Sequence, residues 1–108
     1  DELRSPVWVS DLAAGLLELA TEHPGFSGVI NLAGPQGLSR YAMGLSLASH
    51  FGLDPAGVTP GLSREHPEPR PRDCRLDTRL AQGLLRTRLR SYEEGMRNSE
   101  CGTRERVI

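Results

Sequence analysis

Apolar residues at helical spacing mark the first element of this chain. Leu12, Leu16 and Leu19 recur three or four positions apart, and Ala13, Leu17 and Ala20 widen the stripe. That period predicts an amphipathic helix. Ser10 or Asp11 suits its N-cap, and Pro24-Gly25 stops it after His23. Upstream, residues 4–9 alternate into Val7-Trp8-Val9, a short extended run that Pro6 keeps at a sheet edge.

The apolar run Gly28 to Ala33 is bounded by glycine on both sides and predicts a short buried strand. Gly34-Pro35-Gln36-Gly37 is a turn cluster. Ser39 then caps a second helix reaching Phe51, with Met43, Leu47 and Phe51 on one stripe and Gly52 just past its end. Residues 55–73 hold most of the chain's prolines and predict a long extended loop, with a short strand near Val58. Asp77 caps a third short helix with Leu80 and Leu84 inward, and Ser91-Tyr-Glu-Glu94 is a capping box that opens a last helix to about Arg97. Residues 98–108 are polar and aperiodic, which predicts a disordered tail.

The pattern thus gives an α/β chain of about two short strands and four helices. Two strands alone make a marginal sheet in water, and the leucine faces call for a surface that the chain barely supplies. A piece of a larger fold satisfies both needs.

Composition narrows the chemistry. At 37% hydrophobic and 5% aromatic, the core of the 108-residue chain must be built from Leu, Ala and Val. A net charge of −1 leaves no electrostatic footprint for nucleic acid or an anionic membrane. All 13 basic residues are Arg. Without Lys there is no Schiff base, no P-loop lysine and no lysine-assisted tyrosine, and every fixed cation is a planar fork suited to carboxylate or phosphate. Cys74 and Cys101 have neither zinc spacing nor the look of a disulfide framework. No apolar run approaches the ~20 residues of a membrane span and no signal peptide is evident, so a cytoplasmic setting is the expectation.

Three segments carry a family resemblance. Arg4-x-Pro-x-Trp-Val-x-Asp-Leu-Ala is similar to a stretch of the extended short-chain dehydrogenases/reductases. Val29-Ile-Asn-Leu-Ala-Gly-Pro-x-x-Leu-Ser-Arg-Tyr resembles the strand, turn and helix that follow in that family. Arg70-Pro-x-Asp-x-x-Leu-Asp77 resembles a signature near the C-terminus of the dTDP-4-dehydrorhamnose reductase group. The resemblance implies the C-terminal part of an NAD(P)-binding, Rossmann-like fold without its nucleotide-binding half. Residues 1–97 would form the substrate-binding portion. It further implies a nucleotide-sugar substrate, NAD(P) held elsewhere in a complete protein, an N-terminal Rossmann portion as partner, and a homodimer as one open assembly. A noncatalytic regulatory or protein-binding module related to the same reductases is the alternative.

Arg4 and Arg70 are the first candidates for binding substrate. The resemblance gives Arg4 the nucleotide-sugar diphosphate and Arg70 a phosphate or ribose contact, and a guanidinium fork fits phosphate oxygens. Arg4 as a surface residue or partner of Asp11, and Arg70 paired with Asp73 or Asp77, remain open. Arg72 and Trp8 are further candidates; Trp8 either stacks on a base or sugar, or anchors the core. No catalytic, cofactor-binding or metal residue is expected. The family's catalytic pair is Tyr-x-x-x-Lys, whereas this chain reads Tyr41-Ala-Met-Gly-Leu, so Tyr41 is expected to pack on its helix. Pro35 removes an N–H that a phosphate loop would use.

Overall fold

The structure, a computed structural model, describes residues 1–98. In chain order the elements are β1 (Leu3–Arg4), α1 (Val9–Glu22), β2 (Leu38–Ser39), α2 (Arg40–His50), α3 (Arg79–Leu84) and α4 (Tyr92–Asn98), with single 3-10 turns at Pro55–Gly57 and Ser63–Glu65. The predicted tail falls almost wholly outside the described residues.

β1 pairs antiparallel with β2, Leu3 opposite Ser39 and Arg4 opposite Leu38. On its other side Leu3 bridges Asp73 in the parallel sense. There the Leu3 N–H donates to Arg72 O at 2.5 Å and the Cys74 N–H donates to Leu3 O at 2.9 Å. β1 therefore ties the end of the Pro-rich segment to the start of α2.

The strand expected at Val7-Trp8-Val9 lies earlier, at Leu3–Arg4, because Val9 already belongs to α1. Trp8 is the extended N-cap residue, and no side chain caps the helix. Asp11 does not cap because its carboxylate is taken by a distant partner: it accepts from the Arg90 backbone N–H at 2.9 Å and from Arg90 Nε at 2.9 Å.

The buried face of α1 also differs from the predicted leucine stripe. Gly15 and Glu18 are buried, whereas Leu16 and Leu17 are 52% and 66% exposed. The reason is the nature of the surface that α1 meets. Leu32, Leu85 and Leu89 come up against Gly15. One turn on, the Glu18 carboxylate receives the Arg86 and Thr87 backbone N–H groups, each at 2.7 Å, and the Thr87 hydroxyl at 2.6 Å. Backbone donors buried in a loop need an acceptor, and a carboxylate supplies one where leucine cannot.

Residues 28–33 do not form the predicted strand. They run as irregular chain with Val29 86% exposed. No strand lies beside them among the described residues, so this apolar run has no ladder to join. Asn31 Nδ2 donates to Asp77 O at 3.2 Å and the Gly34 N–H to Pro6 O at 3.1 Å, which fixes its path.

α2 begins as predicted, with Ser39 Oγ accepting the Ala42 N–H at 3.0 Å. It ends at His50 with Phe51 as C-cap and Gly52 following at φ 66°. Met43 reaches the core, while Leu47 and Phe51 stay largely exposed. Instead of a strand, Val58 follows a 3-10 turn whose end it closes by donating to Pro55 O, and its side chain packs on α2 at Gly44. α3 starts at Arg79 with Thr78 as N-cap. Asp77 stands one residue earlier and accepts the Arg79 N–H at 3.0 Å. Ala81 rather than Leu80 faces inward.

The capping box of α4 forms in both directions: Ser91 Oγ accepts the Glu94 N–H at 3.1 Å and Glu94 Oε1 accepts the Ser91 N–H. The box places Tyr92 and Met96 against Trp8, the core cluster on which Leu38 and Met43 also pack. Trp8 and Tyr92 stack with ring centroids 6.2 Å apart. The Trp8 Nε1–H is shared between Ser91 O and Tyr92 O, and Tyr92 OH donates to Met43 O at 3.2 Å. Burial without an orphaned polar atom is what lets Trp and Tyr anchor a core this short of aromatics.

Candidate functional site

An open cleft of ≈ 470 Å³ lies between the first residues of the chain, the start of α2 and the Pro-rich segment. Asp1, Glu2, Arg40, Tyr41, His66 and Arg70 are among the residues that line it. Each wall follows from a local cause. Ser39 caps α2 and so fixes Arg40 and Tyr41 at its first turn. The bridge from Leu3 to Asp73 holds the end of the Pro-rich segment, and with it Arg70, beside β1.

Arg70 is three-quarters covered and has two partners. Its Nη2 lies 3.1 Å from Glu2 Oε2, and its Nη1 is 2.6 Å from His66 Nε2. A guanidinium only donates, so His66 Nε2 is the acceptor. Arg4 Nη2 lies 3.6 Å from the same Glu2 oxygen. Arg4 also donates to Leu3 O at 2.7 Å and Pro71 O at 3.1 Å. One carboxylate oxygen thus joins the two arginines, Arg70 on the cleft wall and Arg4 behind it.

Other acids around the cleft are engaged too. Asp1 pairs with Arg72 Nε at 3.1 Å and accepts the Ser63 N–H at 2.8 Å, and Glu65 Oε2 accepts the Leu62 N–H at 3.3 Å. Four arginines and three carboxylates therefore meet here in near balance, with Arg40 and Arg70 on the lining.

Arg4 and Arg70 are brought together, and neither takes the ion-pair partner considered for it. Asp11 is held by Arg90, Asp73 by Arg75 and Asp77 by Arg79. The adjacent guanidinium and backbone N–H hold each of these last two carboxyls down to about 2. Arg72 is tied to the cleft through Asp1 but its side chain is 71% exposed. Trp8 is a correction: it is 4% exposed with its N–H consumed in the core, so no base or sugar can stack on it. Arg40 and Tyr41 were not singled out for this site. The signal lay in the Ser39 cap, which predicts that the next two side chains sit at an ordered helix start.

A second cavity of ≈ 330 Å³ lies beside Ala33, Leu85 and Leu89. Its polar groups are already spent. Glu18 takes the Arg86 and Thr87 N–H groups, Arg86 pairs with Glu22, and Arg88 pairs with Glu94 at 2.5 Å. It offers nothing convergent to a charged ligand.

The turn at Gly34 to Gly37 does not fit the phosphates of a dinucleotide. Pro6 O fills the place a side chain would take on Gly34, and the Arg75 side chain covers Gly37, its Cδ 2.5 Å from where a Cβ would stand. Among the described residues, no group of three His, Cys, Asp or Glu side chains is placed to hold a metal ion, and no helix is long and apolar enough to cross a membrane.

The family described as RmlD substrate binding domain matches residues 1–100 of the chain. No curated protein and no solved structure matches it.

Proposed function

Because the chain belongs to the RmlD substrate binding domain family, we propose that it binds a nucleotide-sugar as the substrate side of an NAD(P)-dependent sugar reductase or epimerase, such as a dTDP-4-dehydrorhamnose reductase. The family supports a sugar-nucleotide binding role related to such reductases. The cleft supplies the residues for it. The observation that carries the reading is the convergence of Arg70 and Arg40 on one cleft from two separate segments, with Arg4 joined to Arg70 through Glu2. Arginine forks from two sides suit the oxygens of a diphosphate. Tyr41, 39% exposed on the same wall, offers a ring face to the base or the sugar.

In this reading the dinucleotide and the proton-handling pair belong to a Rossmann-like portion of the complete protein. Leu16, Leu17 and Val29, all more than half exposed, support docking of this chain on a further protein surface. The regulatory alternative uses the same face, and it gains support if the cleft fails to bind.

Calorimetric titration of the 108-residue chain with dTDP- or UDP-sugars tests the assignment. Arg70→Ala and Arg40→Ala should each weaken binding about tenfold or more, the worth of a hydrogen bond to a charged group. Unchanged affinity in both variants overturns the phosphate assignment. Trp8 fluorescence is a poor reporter for this purpose, since the indole is sealed in the core.

A further inference from the structure

Glu2 is the one carboxylate of the cleft that pairs with both Arg4 and Arg70, the first two candidates for binding substrate. Its Oε2 lies 3.1 Å from Arg70 and 3.6 Å from Arg4, and its side chain is only 12% exposed. Beyond Glu2, the hydrogen bonds of those arginines go to His66 Nε2 for Arg70 and to the Leu3 and Pro71 carbonyls for Arg4. The Asp73 carboxylate, which also feels the Arg4 charge, is held by Arg75. Glu2 therefore supplies the negative charge that the fork would otherwise take from a ligand. A carboxylate oxygen and a phosphate oxygen compete for the same N–H donors.

We propose that Glu2 is an internal counter-anion that occupies the Arg4–Arg70 fork and must be displaced before a phosphate group can bind, so that it sets the affinity of the cleft and its preference for multiply charged anions. The proposal rests on the reading that this cleft takes a diphosphate. Two guanidinium charges against one carboxylate leave a net single positive charge. A singly charged ligand gains little by exchanging places with Glu2, whereas a diphosphate brings more charge and more oxygens than it replaces. Displaced Glu2 also stays tethered close by, where it opposes the incoming anion.

Glu2→Gln keeps the shape and removes the charge; Glu2→Ala removes both. Inorganic pyrophosphate is the probe, titrated into the full chain, both variants and the double variant Glu2→Gln/Arg70→Ala. Both single variants should bind pyrophosphate about threefold to tenfold more tightly than the natural chain, the scale of a partly exposed ion pair. That gain should shrink in high salt and vanish in the double variant. Equal or weaker affinity in both single variants overturns the proposal, and so does failure of every chain to bind. UDP-glucose in parallel separates the two readings. A pyrophosphate gain with no UDP-glucose binding by any chain sinks the nucleotide-sugar assignment and leaves the competition standing. Firm UDP-glucose binding by the natural chain with no gain in either variant does the reverse.

Discussion

Gly95 faces the indole of Trp8 so closely that a methyl group on it would overlap Nε1 and the atoms bonded to it. The two residues come from α4 and from the N-cap of α1, and their approach brings the last described helix onto the core. Gly95→Ala should therefore destabilise the chain by at least the ~1–3 kcal/mol of an overpacked core site. The obstacle is a rigid ring rather than the end of a flexible side chain. Urea denaturation followed by circular dichroism measures the loss; a midpoint equal to that of the natural chain would contradict the contact.

Tyr92→Phe isolates the hydroxyl that donates to Met43 O. The ring and its stacking on Trp8 stay, so the cost is that of one partly buried hydrogen bond, about 1 kcal/mol. Because this bond joins α4 to α2, the same variant should speed amide exchange in the first half of α2. Exchange confined to α4 would place the link elsewhere.

Glu18 makes the chain acid-sensitive in a defined window. The Thr87 hydroxyl first, and then the Arg86 and Thr87 N–H groups, outweigh burial and bring its carboxyl down from the ordinary 4.5 to about 2. A depressed carboxylate stabilises the fold above its unfolded value, and that stability is lost as pH falls from about 4.5 toward about 2. Asp73 and Asp77 are lowered similarly, but their partners lie only two residues away, so part of that pairing survives unfolding. Thermal melts across this window should show a steep acid loss in the natural chain. In Glu18→Gln the loss should be shallower, from a Tm already several degrees lower at neutral pH. Parallel curves for the two chains would rule out Glu18 as the source.

Arg4 and Arg70 should separate under mutation. Arg4 is bound to the Pro71 carbonyl and so pins the Pro-rich segment to β1, whereas the contacts of Arg70 are side-chain pairs at the cleft. Arg4→Ala should lower both Tm and nucleotide-sugar affinity, while Arg70→Ala should reduce affinity with a Tm change near that of a surface pair, at most about 1 kcal/mol of stability. Calorimetry on both variants, with melts alongside, reads the split. A fall in Tm for Arg70→Ala as large as that for Arg4→Ala would make Arg70 a structural residue.

How much of this was legible in the residues depended on whether a signal was local. The Ser39 cap and the Ser91–Glu94 box use partners three residues away, and both form as written. The face of α1 could not be read the same way. Its leucine stripe was real, but which side turned inward was decided by loop N–H groups near residue 86, which recruited Glu18. Gly28 to Ala33 had the composition of a strand, yet strand formation needs a neighbour, and none stands beside it among the described residues. At the site, Arg4 and Arg70 were visible as isolated residues. Their connection through Glu2 was not, because Glu2 lies outside every recognisable motif.

The long-range bonds of α1 have a kinetic consequence. Trp8 bonds to Tyr92, Asp11 to Arg90 and Glu18 to Arg86, across sequence gaps of 84, 79 and 68 residues. The pairs are nested, so each closes a loop inside the next. Closing such loops costs entropy before any contact rewards it. During synthesis, then, α1 emerges long before the segment that seats it, and its acidic and apolar faces stay without their partners until residue 92 has left the ribosome. Seating of α1 therefore waits for residues 86–92.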